Sequence, residues 1–124
     1  MNEILGAGPP AVLEKALDIA AYRQSLIASN IANVDTPGYR ARDISFEREL
    51  RDAARAAEDP EQPAAKPGAT LHEESTARLR GDGNTVDVDR EMLNLARTAG
   101  FYTASVEMIR KYIGILRAAI TEGR

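Results

Sequence analysis

Ten positions, Val88, Met92, Leu95, Ala99, Tyr102, Val106, Ile109, Ile113, Leu116 and Ile120, follow one another at alternating spacings of four and three without a break. All are apolar or, at Tyr102, amphipathic. A 3.5-residue period held over more than four heptads describes a helix with a coiled-coil seam. The spacing predicts a helix over 87–122, with Asp87 or Asp89 as its N-terminal cap and as a complement to its dipole. From Val88 to Ile120 such a helix runs roughly 50 Å. Burying each seam residue contributes about 1.5–3 kcal/mol, an upper value because unfolded chains are not fully exposed. A lone helix recovers little of that, so this one needs a partner. Gly100 and Gly114 each cost about 1 kcal/mol against alanine in an exposed helix, and their retention suggests close approach by a neighbour.

A second helical pattern predicts a helix over 11–35. Leu13, Leu17, Ala20, Ile27, Ile31 and Val34 form one row, with Gln24 as its polar member. Val12, Ala16, Ile19 and Leu26 form another beside it, interrupted by Arg23 and Asn30. Together they cover about half of the helix circumference, as a helix flanked on two sides requires. Arg23 and the amides inside the arc either snorkel and face a wet seam or set register against a partner. Met1 to Pro10 reads as a flexible or extended lead-in.

The first helix ends in an elaborate stop, Ser29-Asn30-Ile31-Ala32-Asn33-Val34-Asp35-Thr36-Pro37-Gly38-Tyr39. Asn and Asp compete with helical hydrogen bonds. Pro37 disfavours helix at Thr36, and Gly38 suits the positive φ of a type II turn. The stop is therefore expected near Val34 to Asp35. Residues 36–45 read as turn and extended chain, with Arg40 and Arg42 on one side. Phe46, Leu50, Ala53, Ala54 and Ala57 then mark a short amphipathic helix over 46–58, with Asp43 or Ser45 as candidate cap.

Residues 59–86 read as a flexible connector. Asp59 to Gly83 is rich in Pro and Gly and poor in large apolar side chains, too little to offset its ordering entropy. A short extended piece is expected at Leu71 or at Ala77 to Leu79. His72, the only histidine, has no second histidine or cysteine to share a metal with. Asp82-Gly83-Asn84-Thr85-Val86-Asp87-Val88-Asp89 looks like a calcium loop, but Asp87 and Leu93 stand where the sixth-position Gly and the closing Glu belong. A turn at Asp82-Gly83-Asn84 accounts for it better.

The apolar content is 44%, only 5% of residues are aromatic, and there is no cysteine. The chain is at most one small domain and belongs to the all-α class, with long N- and C-terminal helices forming a coiled-coil-like pair and an irregular, partly extended middle. A net charge of −3 with dispersed Lys and Arg argues against nucleic-acid binding. No nucleophile–base pair, metal cluster or phosphate loop argues for an enzyme. No stretch has the ~18 apolar residues of a membrane span, and Met1 to Pro10 lacks the features of a secretory signal peptide.

The stop from Ser29 to Tyr39 resembles the N-terminal motif of the axial proteins of the bacterial flagellum. Rod, hook and hook-associated members of that family carry Ser/Asn-Asn-Ile-Ala-Asn-x-x-Thr-Pro-Gly-Tyr, met here by Ser29, Asn30, Ile31, Ala32, Asn33, Thr36, Pro37, Gly38 and Tyr39. The continuation Arg40 to Phe46, the short length and Asp82 to Asp87 are similar to the proximal rod members. The match covers residues 11–50 and 80–122. The resemblance implies a structural subunit of the basal-body rod in the periplasmic space, without enzymatic activity, cofactor or metal. It implies exit through the flagellar type III export apparatus without a cleavable signal, and polymerisation through the terminal helices into a helical tube that transmits motor torque. Implied neighbours are copies of itself, FlgC-type rod proteins, a FliE-type basal-body protein and export-gate proteins. On this view Asn30 and Asn33 make contacts within or between subunits, and Pro37-Gly38 sets the direction in which the chain leaves the helix. A generic coiled-coil adaptor or export chaperone is the alternative that the heptad alone would permit.

Overall fold

A computed structural model describes residues 9–59, 61–63, 66–74 and 80–123. Three helices carry the fold: α1 (Pro9–Ala32), α2 (Phe46–Glu58) and α3 (Val88–Glu122). Two-residue strands β1 (Arg42–Asp43) and β2 (His72–Glu73) pair antiparallel, with Arg42 opposite Glu73 and Asp43 opposite His72. The long terminal helices pack together, and the molecule is mostly α-helical.

α1 begins at Pro9, two residues before the expected Ala11. Proline suits the first turn of a helix because the N–H it lacks has no helical partner there, so Pro9-Pro10 opens the helix rather than preceding it. The rest of the expected lead-in and the expected extended piece at Ala77 to Leu79 lie outside the described residues. α1 ends at Ala32, and Asn33 to Asp35 form turns. Its broad apolar arc is used from two sides, since both α2 and α3 pack on α1. Ile19 and Leu26 join Ile44 and Ala53 in a buried cluster, with Tyr22, Phe46 and Leu50 packed against it.

Asp43 does not cap α2. Its carboxylate accepts two hydrogen bonds from Arg23, Nε to Oδ1 and Nη2 to Oδ2, both at 3.0 Å. Ser45 takes the cap position without a side-chain cap bond. Arg23 thus ties α1 to β1.

The segment read as connector is held in part. Glu49 of α2, buried, accepts from the Thr70 N–H and hydroxyl at 2.7 Å and from the Gly68 N–H at 3.4 Å. The Glu74 N–H donates to the Ala41 carbonyl at 2.8 Å. Gly68 has φ +115, and a Cβ there would stand 3.1 Å from the Tyr22 hydroxyl. Composition predicted looseness because few large apolar groups are present. Polar side chains on α2 supply the anchoring instead.

Candidate functional site

The Ser29–Tyr39 stretch closes α1 through its own side chains first. Asn33 Nδ2 donates to the Ser29 carbonyl at 2.8 Å, and its Oδ1 accepts from the Thr36 hydroxyl at 3.1 Å. The Tyr39 N–H donates to the Thr36 carbonyl at 3.2 Å, and Gly38 has φ +73. Pro37-Gly38 thus forms the turn that needs glycine at its third position. No side-chain or backbone atom would obstruct a Cβ at Gly38, so conformation alone demands glycine there.

The carbonyls of the turn that follows α1 are met by a residue far along the chain. Asn84, fully buried, directs Nδ2 at the carbonyls of Asn33, Val34 and Thr36, at 2.8–3.0 Å. Its Oδ1 accepts from the Val86 N–H at 2.8 Å and from Arg80 Nη2 at 3.1 Å. Arg80 Nη2 also donates to the Val34 and Val86 carbonyls. The turn that presents Asn84 has Gly83 at φ +79 and the Gly83 N–H donating to the Arg80 carbonyl. Segment 38–41 is laced to the same arm: the Gly38 N–H donates to the Asp82 carbonyl, the Thr85 N–H to the Tyr39 carbonyl, and the Ala41 N–H to the Thr85 hydroxyl. Helix ends leave about four carbonyls without helical partners. Here the Asn33 and Val34 N–H groups meet those of Ser29, Asn30 and Ile31, and an asparagine some fifty residues away holds the turn beyond them.

Asn30, 1% exposed, is the second hub. Its Oδ1 accepts from the Arg42 N–H at 3.0 Å, and its Nδ2 donates to the Arg42 carbonyl at 2.9 Å, so one amide reads both backbone groups of β1. The Tyr39 hydroxyl donates to Asn30 Oδ1 at 3.3 Å and lies 3.2 Å from the Ser29 hydroxyl. Nδ2 also reaches Glu91 Oε2 of α3 at 3.2 Å. Asn30 sets register, but within the chain.

Glu91 is 4% exposed. Burial pushes its carboxyl above the usual glutamate range; the Asn30 hydrogen bond opposes this, and nearby Asp43 adds to it. Arg90 lowers it and Glu74 raises it more weakly. Glu74 itself is paired with Arg90 at 2.9 Å, and His72 Nε2 lies 3.6 Å from it. Among the described residues no group of three or more His, Asp or Glu side chains is arranged to hold a metal ion.

α3 starts where Asp87 accepts from the N–H groups of Asp89 and Arg90. The residues that α3 buries are Glu91, Thr98 and Ser105, each seven apart. Ser105 donates to the Phe101 carbonyl, Thr98 Oγ1 has no partner, and Phe101 meets Phe46 edge-on at 4.6 Å. The apolar heptad lies one and four residues further on, about 40–100° around the helix. Val88, Met92, Ala99, Tyr102, Ile113 and Ile120 are exposed, and Leu95, Val106, Ile109 and Leu116 half-buried. Met92 and Ile120 are each 53% exposed. On α1, Ala20 and Ile27 are buried, while Leu13, Leu17 and Ile31 are half-buried. A Cβ at Gly100 or Gly114 would meet nothing among the described residues, so the close neighbour expected there is not found among them.

The profile of a family described as flagella basal body rod protein matches residues 12–40, which span α1 and its closing turn. The flagellar basal body rod protein FlgB of Escherichia coli is 36% identical over 111 residues, covering 77% of this chain and 80% of that protein. The chain belongs to the FlgB family of flagellar basal body rod proteins. The FlgB of Bacillus subtilis is 32% identical over 126 residues, 90% of this chain and 92% of its own, and that of Salmonella typhimurium 39% identical over 98. FlgB membership makes this a structural rod subunit of the flagellar basal body.

The FlgB-family motif accounts for one half of the junction. The other half, Arg80, Asn84, Thr85 and Glu91, escaped the choice of site residues. Asp82 to Asp87 stood out in the sequence as a turn, but nothing in its pattern says which carbonyls Asn84 reaches. Glu91 had a local signal: it stands at a helical position adjoining the apolar row, where a carboxylate needs a partner.

Proposed function

We propose that this chain is a non-catalytic building block that polymerises through the outward face of α3 and passes torque along the rod by packing and hydrogen bonding alone. The observation that carries this reading is the mismatch on α3. The line turned to α1 buries Glu91, Thr98 and Ser105, while Met92, Tyr102, Ile113 and Ile120 on the heptad row beside it, and Met108 and Ile115 on another side of the helix, are exposed, Ile115 at 69%. Exposed apolar rows of this kind mark association sites. Leu13, Leu17 and Ile31 of α1 are half-buried. Gly100 and Gly114 leave room for a neighbouring helix to approach closely.

The junction at Asn30, Asn33 and Asn84 serves as the rigid corner, and Pro37-Gly38 sets where the chain leaves the helix pair. Expected neighbours are copies of the chain, FlgC-type rod proteins, a FliE-type basal-body protein and export-gate proteins, reached by export without a cleavable signal peptide. No helix among the described residues is long and apolar enough to cross a membrane. The test is sedimentation of the purified chain across a concentration series. Reversible growth of large species, lost in Ile113→Asp while the circular dichroism of the monomer is kept, supports the reading. Wild-type assembly in that variant, or full motility of a strain lacking the chain, overturns it.

A further inference from the structure

The outer ridge of α2 carries three arginines that the fold does not use. Arg48, Arg51 and Arg55 are spaced three and four apart, so they stand on one side of the helix, opposite Phe46, Leu50, Ala53 and Ala57. All three are exposed. Glu47 and Asp52 stand four residues from Arg51 and Arg48, yet among the described residues none of the three arginines makes an ion pair. The ridge is about 10 Å long.

The opposite charge is gathered elsewhere on the chain. Asp35, Asp82, Asp87 and Asp89 are exposed around the junction. The Asp82 backbone is bonded to Gly38, just beyond Asp35, and Asp87 caps the helix on which Asp89 sits. Of the cations nearby, Arg80 is engaged with carbonyls and Asn84 and Arg90 with Glu74, while Arg40 and Arg42 are exposed.

We propose that the arginine ridge of α2 docks on the acidic junction of a second copy of the chain. This rests on the reading of the chain as a polymerising rod subunit and adds a contact separate from the apolar face of α3. The two surfaces are different patches of one molecule, so their pairing is head-to-tail and continues from copy to copy instead of closing as a two-fold dimer. Guanidinium groups match carboxylates in forked geometry. Such contacts steer association and fix orientation more than they add affinity, so the ridge selects which neighbour sits where while the apolar face supplies adhesion.

The chain has no cysteine, which gives a clean test. Arg51→Cys/Asp89→Cys is oxidised during assembly. A ladder of disulfide-linked multimers is expected, weakened when assembly is carried out at high salt. Only monomers and symmetric dimers overturn the proposal. In a second arm, Arg51→Glu/Arg55→Glu raises the concentration needed for assembly about tenfold, and mixing with Asp35→Lys/Asp89→Lys restores it. Failure to restore, with both variants folded by circular dichroism, overturns the proposal. So does unchanged assembly accompanied by lost binding of the Arg51→Glu/Arg55→Glu variant to phosphatidylglycerol vesicles, which makes the ridge a lipid contact. If the ladder is absent while assembly persists and is lost in Ile113→Asp, the docking proposal falls and the rod reading stands. If the wild-type chain does not assemble at all, the rod reading falls.

Discussion

The line of α3 that meets α1 buries Glu91, Thr98 and Ser105, whereas the heptad row beside it exposes Met92, Tyr102, Ile113 and Ile120. The first region holds the chain to itself with directional bonds, chief among them those of Asn30 and Asn84. The second has the apolar surface that ordinarily drives a helix into a core. Hydrogen bonds define one geometry but contribute about 1 kcal/mol each. Apolar area contributes more and is indifferent to direction. A subunit that must keep one shape yet adhere to neighbours gains from placing the directional bonds inside and the apolar surface outside.

The sharpest way to break this division is at Asn84. Asn84→Ala removes one hydrogen bond from each of the Asn33, Val34 and Thr36 carbonyls and leaves the Val86 N–H without its partner, and loses about 2–4 kcal/mol of stability, measured by urea unfolding. A loss below ~0.5 kcal/mol would show that the apolar contacts, not the junction, hold the chain. Gly38→Val follows at about 1–3 kcal/mol, because a β-branched residue resists φ +73. Ala54→Val on α2 is the comparison and should cost less. Equal melting temperatures in the two variants would remove Gly38 from the junction.

Glu91 sharpens the comparison through pH. Its folded-state carboxyl is raised above the usual value by burial, so the folded chain binds its proton more tightly than the unfolded chain. The stabilisation is complete below the unfolded value and is lost as pH rises through the folded one. Glu91→Gln should flatten that part of the stability profile and leave the chain more stable at neutral pH. An unaltered profile in the variant would exclude Glu91 as its source. The smallest effect on the monomer is expected from Ile113→Asp, within about 0.5 kcal/mol, because Ile113 is already 42% exposed. Its effect on assembly should be complete, and a large monomer destabilisation would place Ile113 in the intramolecular seam.

Some of this was legible in the residues alone. The unbroken row from Val88 to Ile120 specifies a long helix with an apolar side, and Thr36-Pro37-Gly38 specifies a turn that only a positive φ can close. Backbone sterics and helical period are local, so both can be read locally. The heptad also says that α3 needs a partner, but not which one, because an apolar stripe is satisfied equally by its own chain or by another. Tertiary structure decided that α1 takes the adjoining polar line of Glu91, Thr98 and Ser105 and leaves the stripe half-buried or exposed. It also decided that Asn84 holds the turn after α1, that Asn30 reads the backbone of Arg42, and that Arg23 belongs to Asp43. Those bonds join residues 12 to 51 positions apart in the chain, apart from Asn30 to Glu91 at 61. An amide carries no mark of its partner in sequence. Its choice is made only when folding removes water and leaves a particular carbonyl within reach.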